Sequence, residues 1–342
     1  MTLYNVVVVG ATGLVGRKIR DILEERNFPV DRLVPVASRK SVGLDILFKG
    51  LHVKVAPLDE NAFVHADIAF FATKNDISRE WVPRAAQHCR IVIDNSSAFR
   101  QERGIPLVIP EINPRTIFTS RSRIVANPNC STIQMLLPLK PLDDAYRIRR
   151  IVVATYQAVS GAGQRGVLQL EHETAGKSVP EHNRVFRHPI AGNVLPEVGV
   201  LYSDGFSSEE YKMVDETRKI LGRCSIKVAP TCVRVPVMNV HSEAVTVEFE
   251  RPFDMRTVQR ILQEAPGVVL ANGENGSGYP HALEVDGRDE VFVGRLRRDE
   301  SVSNGLSMWI VMDNLRKGAA TNAVQIAEAW VKGPSAFKVE TP

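Results

Sequence analysis

Four cysteines occur in this 342-residue chain, and one differs from the rest in its neighbours. Cys89, Cys224 and Cys232 lie in or beside apolar runs, where a thiol is a small buried hydrophobe. Cys130 instead follows Asn127-Pro128-Asn129 and precedes the hydroxyls of Ser131 and Thr132, ahead of the apolar stretch Ile133-Gln134-Met135-Leu136-Leu137. That order predicts a helix starting near Cys130 with Asn129 as its N-cap. A thiol in the first turn of a helix meets partial positive charge and unpaired N–H groups, which favour the thiolate. The thiolate is the nucleophile, and the same N–H groups would bind an oxyanion formed on an attacked carbonyl. No pair of cysteines has C-x-x-C spacing, so neither a metal site nor a disulfide scaffold is expected.

A nucleophilic thiol needs a base, and of the eight histidines His241 is the best placed, in RVPVMNVHS at residues 234–242. The pattern puts it between two strands, where a loop histidine bonded to backbone is the plain alternative. Arg234, in the same stretch, offers a fixed fork suited to a carboxylate or a phosphate, or else a structural ion pair. At the start of the chain, the run Val6-Val7-Val8-Val9 enters Gly10-Ala11-Thr12-Gly13-Leu14-Val15-Gly16 and then an amphipathic stretch to about Arg26. Strand, G-x-x-G-x-x-G and helix in that order predict a dinucleotide site, with Gly10, Thr12, Gly13, Leu14, Val15 and Gly16 against the pyrophosphate. After the second strand, Arg39-Lys40-Ser41 stands where an acidic residue would hold the ribose of NAD. Two cations and a hydroxyl there favour a 2′-phosphate, hence NADP(H), over a merely solvated basic turn.

The elements that must position these groups are legible as two styles of chain. The first 126 residues alternate β-like runs (5–9, 33–37, 68–71, 91–94) with amphipathic helical stretches, the rhythm of a parallel sheet covered by helices. From about Ile148 the β-branched runs lengthen (151–156, 226–235, 244–249, 291–296), which predicts an α+β domain with a mixed, largely antiparallel sheet. Helices are expected at 209–221 and 255–265, and one at 322–330 that returns to the first domain. Residues 272–278 (NGENGSG) and 199–208 read as polar, turn-rich surface segments. With 44% hydrophobic and 24% charged residues and no apolar run near the roughly 20 residues of a membrane span, a soluble, cytoplasmic protein is expected. A net charge of +4 with scattered basic residues gives nucleic-acid binding no support.

Together the motifs resemble those of bacterial aspartate-β-semialdehyde dehydrogenases: residues 10–16 (GATGLVG), 127–134 (NPNCSTIQ), 155–163 (TYQAVSGAG), 209–212 within EEYKMVDETRKI, and 232–244 (CVRVPVMNVHSEA). They stand in family order and span nearly the whole chain. The resemblance implies a Rossmann-type α/β domain over residues 1–127, completed by 315–342, a catalytic and dimerisation domain over 128–314, and a homodimer. It implies Cys130 as nucleophile with Asn129 beside it, His241 as acid–base catalyst, Gln157 to orient the substrate and Arg234 to grip its carboxylate. Glu209 would meet the substrate ammonium, Arg100 and Lys212 would bind phosphate, and Ser160, Gly161 and Asn314 would touch the nicotinamide half of NADP. Glu209 and Lys212 also have the spacing of an ordinary i,i+3 ion pair. The implied reaction joins a small-molecule acyl phosphate, inorganic phosphate and NADP(H), without a metal. Two departures are Val240, where the family often has a small residue such as Gly, and the order of residues at 39–41. The alternatives are N-acetyl-γ-glutamyl-phosphate reductase and a silent paralogue that only binds nucleotide.

Overall fold

The computed structural model describes residues 2–271 and 278–337, so the turn-rich 272–277 lies outside the described residues. The chain divides into two compact units, one running to Pro128 and resumed from Ala319, the other from Asn129 to Gly318.

In the first unit the elements are β1 (Tyr4–Val9), α1 (Leu14–Glu25), β2 (Val30–Val36), the hairpin β3 (Asp45–Phe48) and β4 (Leu51–Lys54), β5 (Ile68–Phe71), α2 (Asn75–His88), β6 (Ile91–Asp94), α3 (Thr116–Thr119) and β7 (Ile124–Ala126). Five strands form one parallel sheet in the order β2-β1-β5-β6-β7. Strands buried on both faces must be apolar throughout, which is why Val6–Val9 and Ile68–Phe71 do not alternate. One face (Val6, Val8, Ile68, Phe70) packs on Ile19 and Leu23 of α1 and on Val324 and Ala327 of the C-terminal helix. The other (Val7, Val9, Ala69, Phe71) packs on Val82 and Ala85 of α2. β1 has β2 on one side and β5 on the other, the reversal of strand order where such sheets open a ligand crevice.

The second unit holds α4 (Cys130–Tyr146), β8 (Ile148–Gln157), α5 (Gln164–Thr174), α6 (Ser208–Leu221), β9 (Lys227–Arg234), β10 (His241–Phe249), α7 (Met255–Glu264), β11 (Val268–Leu270), α8 (Ala282–Val285), β12 (Val291–Asp299) and β13 (Gly305–Met312). The chain then returns to the first unit as α9 (Thr321–Lys332). The six-stranded sheet β11-β12-β13-β10-β8-β9 is mixed, with parallel pairing at its two margins and antiparallel pairing between them. In β8, Ile151, Val153, Thr155 and Gln157 are buried while Arg150, Val152 and Tyr156 are exposed, so the two faces of the sheet differ. No helix among the described residues is long and apolar enough to cross a membrane.

His241 lies not between two strands but at the first position of β10. Val240 turns the chain into the strand at φ +74°, its N–H donating to Asn314 Oδ1 at 2.9 Å and its side chain buried with Val285, Phe292 and Val311. A β-branched residue in the left-handed region is strained, and a residue without a branched Cβ would relieve that strain. Here the hydrogen bond and the apolar packing hold the conformation.

Candidate active site

The start of α4 is built to present Cys130. Asn129 Oδ1 accepts from the N–H groups of Ser131 (3.0 Å) and Thr132 (3.3 Å), capping the helix one residue ahead of the thiol. Asn129 is itself held, its N–H donating to Glu216 Oε2 at 2.7 Å and its Nδ2 to Glu209 Oε1 at 2.8 Å. A Cβ on Gly318 would lie 2.9 Å from Cys130 Cβ, so glycine is what leaves room for the thiol-bearing turn. Cys130 is half-buried, whereas burial, with Asp67 adding to it, pushes the Cys89 thiol up to about 12, and burial beside Glu209 raises Cys232 as well. Those two thiols stay protonated and inert.

The strand register assembles the partners. Gln157 pairs with Arg234, and because Ser242 pairs with Tyr156, His241 falls level with Gln157. Arg234, Gln157 and His241 thus form one row on the buried face at the end of three adjacent strands. Gln157 Nε2 donates to Ser131 Oγ and, at 3.1 Å, to Glu209 Oε1, tying the row to the start of α4. Arg234 is buried, donates from Nη1 to Ala158 O and lies over the Phe186 ring, 5.9 Å from its centroid. Burial lowers its pKa, opposed by the charges of Glu209 and Cys130. Gly161 backs this pair, since a Cβ there would lie 2.8 Å from Arg234 Nη1 and 3.2 Å from His241 Cε1. Ser160 and Asn314 are buried and bonded to each other, Asn314 Nδ2 donating to Ser160 Oγ at 3.0 Å.

His241 is wholly buried, and its Nδ1 accepts from Ala158 N at 3.0 Å, so the neutral ring carries its proton on Nε2, which has no hydrogen-bond partner among the described residues. Burial, then the charge of Arg234, brings its pKa down to about 3 against the opposing pull of Glu209. The unfolded ring titrates near 6.5. As pH falls from about 6.5 toward 3 the unfolded chain gains a proton that the folded ring refuses, and stability is lost over that window. His241→Gln is therefore expected to flatten the fall of unfolding free energy with acid by about 1.4 kcal/mol per pH unit, measured by urea titration between about pH 6.5 and 4. An unchanged slope would show that the ring is not held neutral.

Glu209 collects donors. Burial would raise its carboxyl, but the Lys212 charge and the bonds from Asn129, Lys212 and Gln157 bring it down to about 2. Lys212 Nζ lies 3.0 Å from Glu209 Oε2, so the i,i+3 ion pair is formed. Glu216, one further turn pair along the same buried face of α6, Ser131 and Gly318 were not singled out by sequence reasoning. Carboxylates on the apolar stripe of a helix, at 209 and 216, were the available signal.

In the first unit, Gly10 takes φ +83° and a Cβ there would meet Ala72 O at 2.3 Å, while a Cβ on Gly16 would meet Gly10 O at 2.1 Å. Gly13 caps α1 without any side-chain bond, which leaves the first-turn N–H groups near Leu14 and Val15 for an anion. This cradle fits a dinucleotide pyrophosphate. Thr12 Oγ1 lies 3.5 Å from Ser41 Oγ, and both line an open groove of about 550 Å³ with Arg17 and Arg20. Arg39 and Lys40 occupy the exposed turn Arg39–Ser41 beside it. Arg17, whose Nε donates to Thr12 O at 2.9 Å, and Arg20, whose Nε has no partner among the described residues, are further cations lining this groove, passed over in the sequence because they sit on a helix rather than in the motif. Arg100, also in this unit, is buried in the loop after β6 and donates from Nη2 to Asn95 O at 2.8 Å.

A glycine-cradled parallel sheet joined to a mixed-sheet unit bearing a capped cysteine, a glutamine, an arginine and a histidine defines a class, that of the semialdehyde dehydrogenases. Residues 5–120 match the semialdehyde dehydrogenase NAD-binding domain and residues 139–317 the semialdehyde dehydrogenase dimerisation domain. The chain is 49% identical over 335 residues to aspartate-semialdehyde dehydrogenase of Aquifex aeolicus, covering 96% of this chain and 98% of that one. It is 47% identical to the same enzyme of Shewanella violacea, at 96% and 98% coverage. The solved aspartate semialdehyde dehydrogenase II of Vibrio cholerae, complexed with ASA, superposes with TM-score 0.92 at 44% identity, over 97% of this chain and 99% of that one. The chain belongs to the aspartate-semialdehyde dehydrogenase family, oxidoreductases of amino-acid biosynthesis with a nicotinamide-dinucleotide domain.

Proposed function

We propose that the chain interconverts L-4-aspartyl phosphate and L-aspartate 4-semialdehyde, using NADP(H) and inorganic phosphate, through a thioester on Cys130. The observation that carries this reading is the cross-strand row Arg234, Gln157 and His241 tied through Ser131 to the capped helix start that bears the thiol.

The bound dinucleotide would supply hydride chemistry at the acyl carbon, held by the glycine cradle, with its 2′-phosphate near Arg39, Lys40 and Ser41. The Cys130 thiolate attacks the acyl carbon; a C–S bond forms as the C–O bond to phosphate breaks, and phosphate leaves with that electron pair, Arg100 and Lys212 being the cations proposed to bind it. His241 holds its proton at Nε2 and donates this hydrogen bond to the substrate oxygen as negative charge develops, the acid half of an acid–base role. Loss of the sulfur from the reduced carbon then regenerates the thiolate, so no further proton is needed at Cys130. Arg234 grips the substrate carboxylate and Glu209 its ammonium, and Ser160, Gly161 and Asn314 shape the wall toward the nicotinamide. The enzyme serves the supply of lysine and diaminopimelate, methionine, threonine and isoleucine in the cytoplasm. A second copy would pair over the open face of the six-stranded sheet, where Val152 is exposed and the Tyr156 and Trp309 rings lie 5.5 Å apart.

The test is phosphate-dependent NADPH formation, followed by absorbance, with aspartate semialdehyde and in parallel with N-acetylglutamate semialdehyde. Turnover of the first, about 100-fold or more above the second, is expected, because an acylated nitrogen gives Glu209 no charge to pair with. Preference for the acylated substrate would identify the longer-chain reductase instead, and no turnover of either would mark a binding protein.

A further inference from the structure

Directly behind the row of Arg234, Gln157 and His241 a second row lies on the same face of the sheet. Thr155 pairs with Cys232 on one side and with Glu243 on the other, and Glu243 pairs with Ile310 of β13. All four are fully buried. Among the described residues neither Glu243 Oε1 nor Oε2 has a hydrogen-bond partner, and neither does Gln134 Oε1, one helical turn after Cys130 on α4. Gln134 uses its other end well, Nε2 donating to His241 O at 3.2 Å and to Ile310 O at 2.9 Å. Those carbonyls flank Glu243, one two places before it on β10 and the other on its register partner. An amide oxygen can only accept, an ionised carboxylate can only accept, and a neutral carboxyl has one proton to give. Thr155 Oγ1, on the register partner of Glu243, is orphaned among the described residues as well, and between Glu243 and Gln134 a hydrogen bond forms only when Glu243 is protonated.

The surroundings agree with an uncharged acid. On β10 the near group is His241, held neutral; on β9 they are the Cys232 thiol and Arg234, whose Nη1 is engaged by Ala158 O. From α6 come the carboxylates Glu209, Glu210 and Glu216, from α4 Gln134 and the Cys130 thiol, and from β8 and β13 the uncharged Thr155 and Ile310. Burial without a compensating cation holds the Glu243 carboxyl well above the usual carboxylate range.

We propose that Glu243 is a positioning residue of this site: as a neutral acid it donates its proton to Gln134 Oε1, fixes the amide that holds the His241 carbonyl, and so ties the helix bearing Cys130 to the strand bearing His241. The proposal rests on the reading of Cys130 and His241 as nucleophile and proton donor. Its role is mechanical precision, since about 1 Å of misplacement at a reacting pair can cost about 100-fold in rate.

The test combines infrared spectroscopy with kinetics on the full chain. A wild-type minus Glu243→Gln difference spectrum at about pH 8 is expected to contain the C=O stretch of a protonated carboxyl, and Glu243→Gln, which keeps a donor, to retain kcat within about threefold. Glu243→Met is expected to lower kcat about tenfold or more with the KM of each substrate unchanged, and Gln134→Met with Glu243→Met to be no slower than the worse single variant. An absent protonated-acid band, Glu243→Met within about threefold of wild type, or additive losses in the double variant would each overturn the proposal. If Glu243→Met does not fold, the band and the Gln variant decide. Full turnover by Cys130→Ser would sink the underlying reading while leaving the band in place, so the two failures are distinguishable.

Discussion

Cys130→Ser is expected to bind the dinucleotide as the parent does and to lose about 10³-fold or more in kcat. The seryl oxygen would occupy the same capped helix start, with Asn129 Oδ1 still bonded to the N–H groups of Ser131 and Thr132. What disappears is ionisation: a hydroxyl is far too weak an acid for the helix end to make it anionic, and it leaves poorly from the reduced carbon. The KM of the dinucleotide should stay within about twofold, because the glycine cradle is untouched. Retention of more than about a tenth of the rate would remove the covalent route.

His241→Ala is expected to lower kcat by about 10²- to 10³-fold, the usual effect of deleting one donor to a developing oxyanion. The geometry sharpens this expectation. With Nδ1 accepting from Ala158 N, the neutral ring has only Nε2–H to offer, so the residue acts by giving a hydrogen bond. His241→Gln, which can present an amide N–H at similar reach, should recover about tenfold over the alanine variant in steady-state kinetics. A glutamine variant no better than alanine would show that the ring works as a base, with its proton elsewhere.

Much of this arrangement is legible in the chain because local rules carry it. The Asn-Pro-Asn segment ahead of an apolar stretch marks where α4 begins, and G-x-x-G-x-x-G after a valine strand marks the cradle, since capping and tight turns depend on residues only a few positions apart. Family order then names Gln157, Glu209 and Arg234. What no local rule carries is register. Ser131 meets Gln157 across 26 residues, and Asn129 meets Glu216 across 87, only because helix and strands come together in three dimensions. The start of β10 was obscured for another reason: Val240 takes a backbone conformation that its side chain disfavours, so local preference reads the stretch as loop. Glu243 passed unnoticed because it falls just ahead of the run 244–249 that reads as strand, and only the register turns it inward beside Thr155.

An acyl group carried on Cys130 sulfur is directly visible by mass spectrometry of the trapped enzyme. The protein would be mixed with aspartate semialdehyde and the oxidised dinucleotide without phosphate, quenched in acid, digested and read peptide by peptide. One aspartyl group in thioester linkage is expected on the peptide bearing Cys130, released by hydroxylamine and absent from Cys130→Ser. An aspartyl group on another residue, or a fully active enzyme that never carries one, would contradict the covalent route.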